Sequence, residues 1–280
     1  MNNAIDIQGL CKKYSGFELE NIDITLPSGY IMGFIGENGA GKTTTIKALI
    51  GLIKADSGIM RIFGENVSCA KMRYREHIGV VMDRFGFPGE ASISDIDRIM
   101  RNIYDTWDSR RFFDYIKQFE LTDGKKVKTF SKGMQMKLSI AVAMSHDSRL
   151  LIMDEATSGL DPIARDQLLD ILRDFIQDEE HSVFISSHIL SDLEKICDYI
   201  TFIHEGKIVF SREKDVLEDS YGIVRCSREN IESIDSSAII AARTTDLGAE
   251  LLVERQKVNP GLITDKASIE DIMVMMIKEK

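Results

Sequence analysis

Gly36-Glu37-Asn38-Gly39-Ala40-Gly41-Lys42-Thr43 decides how the rest of the chain is read. It fits G-x-x-x-x-G-K-[ST], a pattern whose glycines let the backbone curl until successive N–H groups converge on one point. Before it, Tyr30-Ile31-Met32-Gly33-Phe34-Ile35 is apolar apart from one glycine, as a strand covered on both faces is. After it, Thr43-Thr44-Thr45-Ile46-Lys47-Ala48-Leu49-Ile50 reads as a helix. A strand, a glycine-rich turn and a helix N-terminus together make a cradle for phosphate, strengthened by the helix dipole. The expected nucleotide contacts are Gly36, Asn38, Gly39, Ala40, Gly41, Lys42, Thr43 and Thr44. Lys42 is expected to neutralise β- and γ-phosphate charge, and the Thr43 hydroxyl to bind Mg²⁺.

Many enzymes carry such a loop, from small-molecule kinases to GTPases, so the choice narrows only further along the chain. Residues 3–24 alternate apolar and polar positions like half-buried strands. Leu150-Leu151-Ile152-Met153 ends abruptly in Asp154-Glu155, and Val183-Phe184-Ile185-Ser186-Ser187 ends at His188. Between them residues 162–177 have a helical period, and residues 92–118, with the single tryptophan Trp107, read as an inserted helical subdomain. Strands alternating with helices imply a mostly parallel sheet with functional groups at the strand C-termini. There Asp154 suits holding Mg²⁺ through water and Glu155 suits polarising the attacking water; the competing reading makes both helix N-cap carboxylates. His188 either hydrogen-bonds a γ-phosphate or is structural. Phe130-Ser131-Lys132-Gly133-Met134-Gln135 precedes a plain helix, which makes a second anion-binding N-terminus.

The chain has 280 residues, enough for about two domains at ~150 residues each. Lys and Arg number 35 against 45 Asp and Glu, a net charge of −10, which argues against a broad nucleic-acid surface. Only Lys125, Lys126, Lys128 and Lys132 cluster. Cys11, Cys69, Cys197 and Cys226 are far apart, without the spacing of a metal or disulfide site. Neither a signal peptide nor an apolar run of ~18 residues is evident. Past about residue 211 the alternation stops. Residues 221–226, 239–243 and 251–255 are candidate strands, and 268–280 an amphipathic helix capped by Ser268 and Asp271, with Ile269, Ile272, Met273 and Met276 on one packing face.

The order of these elements resembles the nucleotide-binding domain of the ABC ATPases: the loop, Ser131-Lys132-Gly133-Met134-Gln135, Leu150 to Glu155, Ser158-Gly159-Leu160-Asp161, then His188. The likeness spans about residues 3–212, three-quarters of the chain. It implies an α/β P-loop NTPase core at 1–212, a mostly parallel sheet with an antiparallel β subdomain and a helical subdomain at about 88–145. A small α+β module at 213–280 would follow. Residue by residue, Tyr14 resembles the aromatic that stacks on adenine, Asp154 the Walker B aspartate, Glu155 the general base and His188 the switch histidine. Ser131 and Gly133 match the signature that caps the γ-phosphate of the opposite subunit, and Asp161 the loop crossing the dimer interface.

Phe130, Lys132 and Met134 depart from the usual signature and resemble a bacterial branch that exports drugs, antimicrobial peptides or other amphiphiles. Asp83 stands where glutamine is common and remains a candidate for holding a Mg²⁺ water; Ala156 replaces a common proline. The resemblance implies ATP and Mg²⁺, a homodimer or a heterodimer with a paralogue, and a permease on a separate chain docked around residues 83–89. It places the chain in the cytoplasm, peripheral on the inner face of the membrane, with no nucleic-acid partner. A soluble relative acting on ribosomes or nucleic acid is the rival; those usually hold two cassettes or a long coiled coil. A non-catalytic nucleotide sensor is the third reading, against which Glu155 argues.

Overall fold

The structure, a computed structural model, describes residues 2–68, 73–83, 86–245, 248–259 and 262–277. Cys69 and part of the expected docking stretch at 83–89 lie outside the described residues. Along the chain, β1 (Asn3–Tyr14), β2 (Phe17–Pro27) and β3 (Ile31–Ile35) precede α1 (Lys42–Leu49), and β4 (Ser57–Ile62), β5 (Glu65–Asn66) and β6 (Ile78–Val81) follow it. Helices α2 (Ile93–Met100), α3 (Ser109–Gln118) and α4 (Lys132–Ala143) come next. Then come β7 (Leu150–Asp154), α5 (Pro162–Phe175), β8 (Ser182–Ser187), α6 (Leu190–Ile196), β9 (Tyr199–His204) and β10 (Lys207–Glu213).

The apolar runs become central strands. Every residue of β3, β7 and β8 is buried, which an apolar strand achieves only when helices cover both faces. Their sheet runs β10-β9-β3-β8-β7-β6, parallel from β9 to β6. Parallel pairing places the C-termini of β3, β7 and β8 side by side, which brings the glycine-rich loop, Asp154-Glu155 and His188 to one sheet end. Phe34 and Phe184 stack at 5.3 Å between centroids within this core, each worth about 1.5–3 kcal/mol in burial. The alternating N-terminal stretch forms the antiparallel sheet β2-β1-β4-β5, where Ile5 faces Leu26 and Ile7 faces Ile24 across the first pair.

Trp107 anchors the helical insertion by donating its indole N–H to Asp97 at 2.9 Å; Asp97 is 4% exposed and also pairs with Arg101. The α2 N-terminus carries a reciprocal Ser92–Asp95 capping box. Contacts divide the chain into two compact units, Met1–Phe210 and Ser211–Lys280. The second contains α7 (Lys214–Ser220), β11 (Tyr221–Cys226), β12 (Ile239–Thr245), β13 (Gly248–Glu254), β14 (Asp265–Lys266) and α8 (Ile269–Ile277), with sheet order β12-β13-β11-β14. The expected Ser268–Asp271 cap is formed. The packed stripe of α8 is shifted, however: Ile269, Ile272 and Met275 are buried, while Met273 and Met276 are only half-buried at its flank. Three-residue spacing along a short helix lagged the expected stripe by one position. Among the described residues Cys11, Cys197 and Cys226 form no disulfide. Among the described residues no helix is long and apolar enough to cross a membrane.

Candidate functional site

The chain leaves β3 at Ile35 and passes so close to β9 that a Cβ on Gly36 would lie 2.4 Å from the Ile203 carbonyl oxygen. Only glycine fits there. Gly41 takes φ 116° at the N-cap of α1, a left-handed conformation that glycine adopts freely. With no side chain capping α1, the first-turn N–H groups that lack intrahelical partners are left for an anion. The resulting cleft holds about 620 Å³. The loop and the start of α1 form its floor; Gly16 and Phe17 border one side, Asp83 and Glu155 another.

Lys42 is 5% exposed, and its ammonium makes two hydrogen bonds and one ion pair. Gly36 O accepts at 2.6 Å, Glu37 O at 3.2 Å, and Glu155 Oε1 lies 3.3 Å away. The other Glu155 oxygen is 2.5 Å from His188 Nδ1, a contact in which Nδ1 carries the proton when the carboxylate is ionised. Glu155 therefore bridges a cation of the loop and a histidine beyond β8. Its backbone sits at φ 54°, a strained conformation for a residue with a Cβ, as is common where a side chain must be aimed.

Asp154 is 1% exposed and satisfied by two hydroxyls: Thr43 donates to Oδ2 at 2.8 Å and Ser186 to Oδ1 at 2.7 Å. Ser186 Oγ also accepts from the Glu155 N–H at 3.0 Å. Sequence reading missed this serine. Its signal was a polar residue ending an otherwise apolar strand beside β7, where β8 pairs Asp154 with Ser186. Neither carboxylate caps a helix, which removes the capping reading; α5 is capped by Asp161, with Pro162 at its start. Ser186→Ala would leave a buried carboxylate oxygen without its donor, at a cost of about 1–3 kcal/mol. We expect a melting temperature lower by several degrees and a reduced ATPase rate. Unchanged melting and turnover would show that Asp154 is held without it.

Other expected residues lie elsewhere. Tyr14, 45% exposed at the end of β1, does not border the cleft; its cross-strand partner Phe17 does. The Lys12 ammonium lies 5.4 Å from the Tyr14 ring centroid. Asp83 borders the cleft, but its ion partner is Lys132 at 2.8 Å. Ser131 caps α4 through the Met134 N–H at 3.2 Å. A Cβ on Gly133 would sit 3.4 Å from Gly159 O, so the start of α4 and the loop before α5 are in contact. Asp161 accepts from Ile163 and Ala164 N–H groups at 3.0 Å each, and these, Ala164 first, hold its carboxyl below the usual range. Ser131, Gly133 and Asp161 are absent from the cleft lining. The lysine cluster is partly offset in place: Glu90 pairs with both Lys126 and Lys128, and Asp83 with Lys132.

A family model described as ABC transporter matches residues 19–158, half of the chain. The bacitracin transport ATP-binding protein of Bacillus licheniformis is 37% identical over 212 residues, covering 75% of this chain and 69% of that protein. The chain belongs to the ABC transporter ATP-binding family. A lantibiotic transport ATP-binding protein of Streptococcus pyogenes is 35% identical over 218 residues, 77% of this ABC subunit and 93% of the relative. Among solved structures, an ATP-binding subunit of an ABC transporter matches with TM-score 0.70 at 26% identity, over 77% of this chain and 92% of its own. A dimeric ATP-binding cassette in a post-hydrolysis state, bound to ADP and phosphate, shares the fold with TM-score 0.67 at 18% identity, over 75% and 98% of the two chains. This ABC subunit is thus an ATP-binding, ATP-hydrolysing component of a transporter, as its ordered motifs implied.

Proposed function

We propose that two of these subunits close face to face on two ATP molecules and, on hydrolysis, drive a separate membrane permease that exports a peptide antibiotic, a drug or another amphiphile. The observation that carries the hydrolytic part is the placement of Glu155 at the cleft wall, aimed by a strained backbone and held between Lys42 and His188. ATP entering the cleft offers Lys42 a phosphate in place of Glu155. The freed carboxylate accepts a proton from the attacking water, and His188 steadies the γ-phosphate.

Thr43, which lines the cleft, and the buried Asp154 carboxylate, 2.8 Å from its Oγ1, are hard oxygen donors. They fit Mg²⁺, which keeps several waters and takes one or two protein oxygens beside those of the phosphates. Among the described residues no three acidic, His or Cys side chains gather to hold a metal unaided, as that mode of binding requires none. The ion would neutralise phosphate charge as it builds. Ser131 and Gly133, away from the cleft of their own chain, are assigned to the nucleotide of the facing subunit, and Asp161 to the interface. Tyr14 is assigned to adenine, with Phe17 as the nearer aromatic.

Export is supported by the bacitracin and lantibiotic transport relatives. The chain would then lie on the inner face of the membrane, bound to its permease. Purification from detergent-solubilised membranes of the source cell is expected to bring down a polytopic membrane protein in stoichiometric amount. Ribosomes, nucleic acid or no membrane protein at all would refute the transporter reading and leave the ATPase.

A further inference from the structure

Lys132 opens α4 directly after the capping Ser131. Its ammonium lies 2.8 Å from Asp83 Oδ1. Its stem runs over the loop before α5, because a Cβ on Gly159 would sit 3.1 Å from Lys132 Cδ. Asp83 stands two residues beyond β6 and borders the nucleotide cleft together with Lys42 and Glu155. One carboxylate therefore faces the cleft of its own chain and also holds the cation at the head of α4. The neighbouring Lys126 and Lys128 are committed to Glu90, which leaves Lys132 as the lysine of this cluster whose partner belongs to the cleft.

The pair is open to water, with side-chain exposures of 54% for Lys132 and 47% for Asp83. An ion pair that exposed is weak and screened by salt. A more highly charged anion brought to the same place competes for the ammonium with advantage, because the Coulomb term scales with charge. The α4 N-terminus favours such an anion through its dipole.

We propose that Lys132 is an exchange residue: Asp83 holds its ammonium in the resting chain, and the γ-phosphate carried by the facing subunit takes it when the dimer closes. This rests on the face-to-face reading above. Asp83 then acts as a brake on closure, since an ion pair in each chain must open, and Lys132 is a positioning residue for the partner's nucleotide. A pair that only fastened α4 to the end of β6 would behave differently, because either loss would loosen the same contact in the same direction.

The experiment uses the full chain carrying Glu155→Gln, with Asp83→Asn, Lys132→Gln and both added. Sedimentation velocity at saturating Mg-ATP gives each dimerisation constant, at ~0.05 M and ~0.3 M salt. Asp83→Asn is expected to tighten the dimer about fivefold and Lys132→Gln to weaken it about fivefold, the size one exposed pair per chain allows. Asp83→Asn should have no effect once Lys132 is gone, and all differences should shrink at the higher salt. If Asp83→Asn weakens the dimer, leaves it unchanged, or acts equally without Lys132, the exchange is wrong. If the Glu155→Gln parent itself fails to dimerise with ATP, the face-to-face reading falls and takes this one with it. A parent that dimerises while Asp83→Asn does nothing overturns the exchange alone.

Discussion

Glu155→Gln should lower ATP turnover by roughly 10²–10⁴-fold, the share usually carried by a positioned general base. The amide keeps the shape of the carboxylate: its oxygen can still accept from Lys42, 3.3 Å from one carboxylate oxygen, while its NH2 can only donate toward His188 Nδ1, 2.5 Å from the other. It cannot take a proton from water. Nucleotide binding should survive, and the removal of a negative charge beside a triphosphate favours it. A chain that binds ATP and cannot hydrolyse it accumulates in the closed state, so size-exclusion chromatography should show a dimer with ATP and a monomer without. Single-turnover hydrolysis within threefold of wild type would transfer the base to another group. His188→Ala is the informative companion: it removes the contact that restrains Glu155 and leaves the base in place, so its rate should fall less.

Several of these features were legible in the amino-acid sequence because they are local. The apolar runs at residues 31–35 and 150–153 and the run ending at Ser187 carried their own burial pattern, and β3, β7 and β8 follow them. The glycine positions of the loop announced a backbone that only glycine accommodates, and Gly36 against the Ile203 carbonyl is that constraint realised. The Ser268–Asp271 cap lies within four residues and needs no tertiary partner.

What depends on distant pairing was not legible. Sheet order β10-β9-β3-β8-β7-β6 brings Ser186 beside Asp154 across 32 residues of chain, and nothing local in a Ser-Ser strand end specifies that neighbour. Strand β9 passed without notice because its partner β3 lies far back in the sequence, and β10, which pairs with β9 at the sheet edge, passed with it. Asp83 and Lys132 stood out individually at the sequence level, one as a short carboxylate and one as an unexpected cation. Only the packing of α4 beside the end of β6 pairs them. Tyr14 was named for its resemblance to the aromatic that stacks on adenine, and the β1–β2 hairpin places Phe17, opposite it, on the cleft.

Lys42→Ala removes the one lysine among the described residues that borders the cleft, and we expect it to raise the dissociation constant for ATP by about 10- to 10²-fold or more. The side chain is nearly sealed from solvent at 5% exposure, with two N–H groups fixed by Gly36 O and Glu37 O. Those two bonds hold the ammonium at the mouth of the loop and leave the third direction, now taken by Glu155, for phosphate. A charge-assisted hydrogen bond is worth about 1.5–3 kcal/mol, which is what the loss of that one phosphate contact amounts to. At 1.4 kcal/mol per tenfold this is about 10- to 10²-fold. Alanine also strands Glu155, whose side chain is 14% exposed, close to the incoming triphosphate without its compensating cation, which adds repulsion to the lost attraction. Lys42→Arg separates the two effects: it keeps the charge but not the compact ammonium geometry, and should recover only part of the affinity. Equilibrium binding of a fluorescent ATP analogue to all three proteins measures this directly. Affinity for Lys42→Ala within threefold of wild type would mean that the backbone cradle and α1 alone hold the nucleotide.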